Sequence, residues 1–370
     1  MALTFYPETH YILAMTTVRR DRKLPDDAAA GEVLVTERQR VEPSTTLLRG
    51  TRAGHFRVVP IKTAALGVRR LSDIKPEWII VQEGTLVRAG EPLIQRGQGR
   101  GARKFSVPFS SVVARIEADR FILQEKPETV EVRALYTGIV SALRSRREVQ
   151  IEAVGALVQG VWGNGRDTFG TVAEAPEAGL QSLASEEILT TYRGQILLTR
   201  LPLTAQTLAV VERQQVAGVI APAMPAELIP QVLAMNAPVL LTEGFGEHKM
   251  SDIVYNLLRD NDGRQVALDA VEPKRFSAQR PELFIPLPGG VSLPPLPERG
   301  QGLFPGVQVR IARAPNAGQA GRVVRVFETP QVLETGLRVS GAEIQLGSGK
   351  LVFVPIDNLE SLGRALDRRR

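Results

Sequence analysis

The sequence predicts a multidomain chain, mainly β with one small three-layer α/β domain. Three observations carry that expectation. At 370 residues the chain exceeds the span one hydrophobic core usually fills, which argues for two to four domains. Before residue 180, short Val/Ile/Leu runs alternate with Gly, Pro and Arg, and no stretch keeps a 3.6-residue apolar period. From there to residue 272, apolar strands alternate with amphipathic stretches, and a proline-rich segment then leads into glycine-punctuated strands.

The first domain is expected over 1–175 and contains an internal repeat. "VTERQRVEPSTTLLRG" (35–50) and "VQEGTLVRAGEPLIQRG" (81–97) share the frame Val, six on Val, six on Leu, then Arg-Gly. The anchors are Val35, Val41, Leu47, Arg49 and Gly50 against Val81, Val87, Leu93, Arg96 and Gly97. Gly84, Val87, Gly90 and Leu93, followed by "SVPFSSVVARI" (106–116), resemble the barrel-sandwich hybrid of biotinyl and lipoyl carrier domains. "ALYTGIVSAL" (134–143) offers a second copy of the closing element. The family's carrier lysine sits at a hairpin tip between Met residues or beside Asp and Ala, and no such tripeptide occurs here. Lys104 in "GRGARKFS" lacks those neighbours, so the resemblance implies the fold without the prosthetic group.

The glycine-rich run "GALVQGVWGNGRDTFG" (155–170) invites a phosphate-loop reading, but it has no Lys-Ser/Thr and no third spaced glycine. Asn164-Gly165 between apolar segments predicts a hairpin that closes the first domain. Trp162 would pack as a lid, with Arg166 and Asp167 at the exposed turn.

The α/β domain is expected over 186–272. Strands are read at 195–201, 217–222, 237–246 and 264–271, in a parallel sheet. Helices are read at 203–216, at 225–236 with a break at Pro230, and at 250–263 between a Ser251 cap and a Gly263 stop. Ligands of open α/β sheets bind beyond the carboxyl ends of the strands, which makes "LLTEGFGEHKMSD" (240–252) a candidate ligand loop. Gly244 and Gly246 would give a close-approach turn, Glu243 and His248 acid–base groups, and Ser251 an anion-receiving helix start.

Residues 273–302 hold a proline-rich linker. At the density of "PELFIPLPGGVSLPPLPERGQG" (281–302), proline excludes a central strand and predicts a surface strap. In "LFPGVQVRIARAPNAGQAGRVVRVF" (303–327), Val309, Ile311, Pro315, Gly318, Gly321 and Val323 resemble the KOW motif of ribosomal proteins and transcription-elongation factors. Ala314 stands where that family often has glycine. The resemblance implies an SH3-like barrel over 303–362, with a basic tail at 363–370. Such barrels contact RNA, the ribosome, RNA polymerase or neighbouring domains through the glycine loop. Arg310, Arg313, Arg322 and Arg325 would decorate its strands on an exposed face.

Charge is distributed unevenly. Residues 1–149 carry 25 basic and 17 acidic side chains, 150–298 carry 10 and 17, and 299–370 carry 11 and 6. Basic ends flanking an acidic middle point to modules with different partners. A second basic candidate is "RGQGRGARK" (96–104), which gathers Arg96, Arg100, Arg103 and Lys104 on a glycine-rich loop suited to phosphate contact. With no cysteine, disulfides, thiolate catalysis and zinc–thiolate sites are excluded, and three dispersed histidines argue against a His-based metal centre. No cofactor is expected. Acid pairs such as Asp26-Asp27 and Glu186-Glu187 are only sequence neighbours. No apolar run reaches the roughly 18–20 residues of a membrane span. The expectation is a non-catalytic cytoplasmic binding or adaptor protein that docks on a ribonucleoprotein, transcription complex or other large assembly. The alternatives are a structural subunit that touches no nucleic acid, or a ligand-binding or enzymatic α/β domain using the 243–251 loop.

Overall fold

A computed structural model describes residues 5–184, 191–274, 279–289, 293–297, 302–313 and 315–363. Glu186-Glu187, Ala314 and all but the first residue of the basic tail lie outside the described residues. Strand accounts for 46% of the chain and helix for 13%, the mainly-β balance read from the sequence.

The two copies of the repeat fall in two nested β units. The outer unit joins a three-stranded sheet (Ala28–Val33, Thr46–Arg52, Glu128–Arg133) to a second layer containing Glu8–Lys23, Arg40–Val41, Gly138–Ser145 and Glu148–Gln159. Thr46–Arg52 and Glu128–Arg133 pair directly, Arg52 opposite Glu128, so residues 56–125 leave and return at the tip of one antiparallel pair. That insertion holds the short helix α1 (Thr63–Leu66) and its own core of Leu66, Leu93, Ile94, Phe105, Phe121 and Leu123.

Both copies fold the same way at positions 46 residues apart. Leu34 N–H donates to Leu47 O and Ile80 N–H to Leu93 O, at 2.8 and 3.1 Å. Thr36 N–H donates to Gln39 Oε1 and Gln82 N–H to Thr85 Oγ1, at 2.9 and 3.2 Å. Glu42 N–H donates to Thr45 Oγ1 and Arg88 N–H to Glu91 Oε2, at 3.0 and 2.8 Å. Each turn therefore has a backbone donor satisfied by a side chain three residues on. Arg38 and Gly84 also correspond: both have positive φ (65° and 85°) and donate to the closing strand at Val140 O and Val113 O. The spacing of Val, Val and Leu survives because these side chains fill equivalent core positions, and Val41, Leu47, Val87 and Leu93 are all buried.

One continuous sheet runs from the middle of the chain to its C-terminal part. Arg166–Glu174, Ile196–Leu198, Gly218–Met224 and Val239–Phe245 are parallel neighbours. Their residues alternate between two cores. Leu197, Val219 and Leu241 pack under α2 (Ala205–Arg213) and α3 (Ile229–Ala234), whereas Leu198, Ile220 and Leu240 pack under α4 (Asp252–Arg259). Thr204 begins α2 with a reciprocal cap: its Oγ1 accepts from Thr207 N–H and its N–H donates to Thr207 Oγ1. Pro230 falls in the first turn of α3 after a 3₁₀ turn at Ala226–Leu228, where its missing N–H costs nothing.

Three expectations are corrected here. The sheet is mixed, because Gln265–Ala270 runs antiparallel to Arg166–Glu174. Asn164-Gly165 turns no hairpin: Trp162–Gly163 pairs with Val239–Phe245, and the next strand pairs elsewhere. The Asn164 side chain explains the difference. Its amide donates to Val232 O and Ala237 O and accepts from Val239 N–H, a buried brace that holds the crossover to the α/β strands. Third, Glu282–Pro286 in the proline-rich segment is an internal strand, buried and paired on both sides. Its prolines sit at the ends, which leaves Glu-Leu-Phe-Ile free to complete the ladder. Further on, Thr16 Oγ1 donates to Pro295 O at 2.9 Å and Thr17 Oγ1 to Pro294 O at 2.5 Å.

Through Glu148–Gln159 and Glu8–Lys23 the sheet reaches Leu359–Gly363, parallel to Glu8–Lys23. It continues antiparallel through Gln308–Ile311, Ala320–Val326, Gly341–Leu346 and Leu351–Pro355 around Val309, Ile311, Val323 and Ile344. Gly321 is required there, since a Cβ would meet Gln345 O at 2.5 Å.

Candidate binding cleft

Two candidates that the sequence keeps apart, the arginines of the C-terminal strands and the 243–251 loop, meet in space. The contact is Arg310. Alternation with Val309 and Ile311 places it on the exposed face, yet it is 3% exposed. The reason is that the other side of its strand faces the end of Val239–Phe245. Arg310 Nη1 donates to Thr242 O at 3.0 Å and to Glu243 Oε2 at 2.9 Å. Its Nε and Nη2 donate to Glu360 Oε2 at 2.9 and 2.6 Å. Glu243 is thereby committed to a buried ion pair, and its Oε1 accepts from Ser251 N–H at 3.2 Å. Neither Arg310 nor Glu243 is available as an exposed contact or an acid–base group. His10 lies in the same junction, fully buried, its Nε2 2.7 Å from Gln159 O. Burial, and secondarily the Arg310 charge, hold its pKa down at about 4. The ring is neutral, and its Nε2–H donates to the carbonyl.

The same two regions also enclose a cleft of about 760 Å³. One wall is the 248–253 segment with the start of α4, the other the 317–322 turn and the 345–348 hairpin. His248, Ser251, Gly318, Gly321 and Arg322 all line it. Gly244 and Gly246 (φ 105° and 122°) shape the approach without lining it, and a Cβ on Gly246 would meet His248 Nε2 at 3.1 Å. Gly318 (φ 79°) turns the 315–319 loop, where an L side chain would strain the backbone. Arg200, Lys249, Gln308 and Gln345 add to the polar lining, and none of them is singled out by the sequence pattern. Gln308, Arg322 and Gln345 stand in register on three adjacent strands, exposed on one face. That row depends on pairing register, which sequence spacing alone does not reveal.

The other predicted arginines divide into braced and free groups. Arg96 Nη1 donates to Leu66 O and Gly67 O at the end of α1, with its guanidinium 5.2 Å from the Trp78 ring centre. Arg103 lies against Gly67. Arg325 stacks on Phe327 at 4.8 Å. Arg100, Lys104, Arg313 and Arg322 are exposed, and no carboxylate among the described residues pairs with them.

A second charged junction, absent from the sequence reading, joins the outer β unit to the central sheet. Arg20 clasps both Glu282 oxygens at 2.6 Å, and Tyr136 O–H donates to Glu282 Oε1 at 2.7 Å. Arg22 pairs with Asp167 at 2.6 Å and reaches Asp269 only at 3.9 Å. Asp269 is desolvated beside two other carboxylates, Glu282 and Asp167, and its pKa is pushed up to about 6 against the pull of Arg22. Among the described residues no group of three or more His, Asp or Glu is disposed to hold a metal ion. No helix among them is long and apolar enough to cross a membrane. Compared with known proteins, the chain matches no protein-family model and no curated protein.

Proposed function

We propose that this chain is a non-catalytic binding protein that docks on a large assembly rich in phosphate, such as a ribonucleoprotein or transcription complex. The observation that carries this reading is the set of unpaired cations. Arg19, Arg20, Arg22, Arg49, Arg52 and Arg57 each hold a carboxylate, whereas Arg100, Lys104, Arg313 and Arg322 stand exposed with no carboxylate partner among the described residues. Arginine left unpaired on a turn is free to form bidentate bonds to phosphate oxygens. On this reading the nested β units are barrel-sandwich hybrids without a carrier lysine. The 303–362 region is a KOW-type SH3-like barrel, its first arginine turned inward to fix it against the α/β domain. The proposal carries a cytoplasmic location with it.

The test is retention of the full chain on ribosomes and on total RNA at low and high salt. Retention at low salt that falls steeply with added salt supports the reading, as does its loss in a variant combining Arg100→Glu, Lys104→Glu and Arg313→Glu. No retention on either at low salt would remove it.

A further inference from the structure

We propose a second binding activity: the cleft between the α4 start and the C-terminal strands takes a small phosphate-bearing ligand. The inference does not require docking on an assembly, although both readings use Arg322. Four observations converge on it.

The cleft volume, about 760 Å³, falls in the range of small-molecule sites. Cationic side chains reach it from three segments: Arg200, Lys249 and Arg322. The only carboxylate among its lining residues is Asp252, already paired with Arg200. The Gln308–Arg322–Gln345 row adds an amide on either side of a guanidinium along the wall formed by the C-terminal strands. The fourth observation concerns Ser251. It occupies the capping position of the eight-residue α4 with extended backbone angles, where a serine hydroxyl ordinarily accepts from the first turn. Here no such bond forms. Ser251 lines the cleft, is 7% exposed, and its Oγ has no hydrogen-bond partner. A buried hydroxyl without a partner is costly, and an anion oxygen at the helix start would accept from it and from the first-turn N–H groups together. With Arg200 offset by Asp252, Lys249 and Arg322 leave two unbalanced positive charges beside a hydroxyl and a helix start, which matches the two charges of a phosphate monoester dianion. No Phe, Tyr or Trp is among the lining residues, and the inference rests on the phosphate rather than on a stacked base.

Calorimetry and thermal unfolding of the full chain would test this with inorganic phosphate, pyrophosphate, a nucleoside monophosphate and a single-stranded oligonucleotide as separate probes. The expected result is saturable one-to-one binding of at least one of the three small phosphates, with a raised Tm. Lys249→Gln, Arg322→Gln and Ser251→Ala should each weaken that binding, by about tenfold for loss of one charge-assisted bond. Arg100→Glu with Lys104→Glu should leave it unchanged. No binding of any small phosphate at millimolar concentration overturns the proposal. So does binding of the oligonucleotide alone, lost with Arg100→Glu and Lys104→Glu, and that result leaves the docking reading standing. Small-phosphate binding indifferent to Lys249, Arg322 and Ser251 also overturns it.

Discussion

The two buried charged junctions of this protein are built from the same residue types and respond oppositely to acid. At the C-terminal junction one guanidinium, Arg310, serves two carboxylates, Glu243 and Glu360, within 2.9 Å, and the neighbouring buried base is His10. At the junction of the β unit with the central sheet, Arg20 and Arg22 serve Glu282 and Asp167, and a third carboxylate, Asp269, is left at 3.9 Å. His10 has its pKa lowered to about 4, so its contribution is fully present above its unfolded value near 6.5 and is lost as pH falls toward 4. Asp269 has its pKa raised to about 6, so its contribution is present below its unfolded value near 3.8 and is lost as pH rises through 6. Burial is the leading cause at both sites and favours the neutral form, which lowers a base and raises an acid. The neighbouring charges act second: Arg310 adds to the lowering of His10, and Arg22, 3.9 Å away, offsets only part of the raising of Asp269.

The strongest way to break the comparison is Arg310→Met. It leaves Glu243 buried without its cation and Glu360 without its closest one, and the expected loss is about 3–5 kcal/mol in denaturant unfolding. A loss below about 1 kcal/mol would mean that the junction relaxes or admits water. Asp269→Asn and His10→Gln isolate the two opposing titrations. Each shift is about two pKa units or slightly more, on the order of 3 kcal/mol. In the parent chain the two oppose each other between pH 4 and 6. Asp269→Asn should expose steeper acid destabilisation, and His10→Gln should reverse the slope, both read from Tm against pH. Parallel profiles in the two variants would contradict the assignment. The smallest effect is expected in the repeats. Arg38→Gly should stabilise by up to about 1 kcal/mol by relieving a left-handed arginine, and Gly84→Ala, which has open space around its Cβ, should cost about 1 kcal/mol from backbone strain alone.

Much of the architecture was legible because it depends on local pattern. The α2 and α4 helices, the short apolar strands and the buried Val309, Ile311 and Val323 all follow from periodicity, caps and glycine turns. What escaped depends on relations between distant segments. Strand alternation assigns Arg310 to solvent only if one face of its strand is uncovered, and here the end of Val239–Phe245 covers it. Asn164 carries a strong turn signal that its three buried tertiary hydrogen bonds override. Proline content hid Glu282–Pro286 because the count ignores that its four residues before Pro286 are proline-free. Of the candidate site, Ser251, His248 and the 318–322 turn were legible individually. Their meeting across a cleft, and the roles of Arg200, Lys249, Gln308 and Gln345, required the register of the C-terminal strands against the α/β unit.

The most direct test of the binding account is a hydrogen-exchange footprint of the full chain with and without ribosomes at low salt. Docking through these cations should concentrate protection in the 97–104 loop and the 313–322 turn, reversed by added salt. Protection confined to other surfaces, or no protection at a concentration where binding saturates, would contradict it.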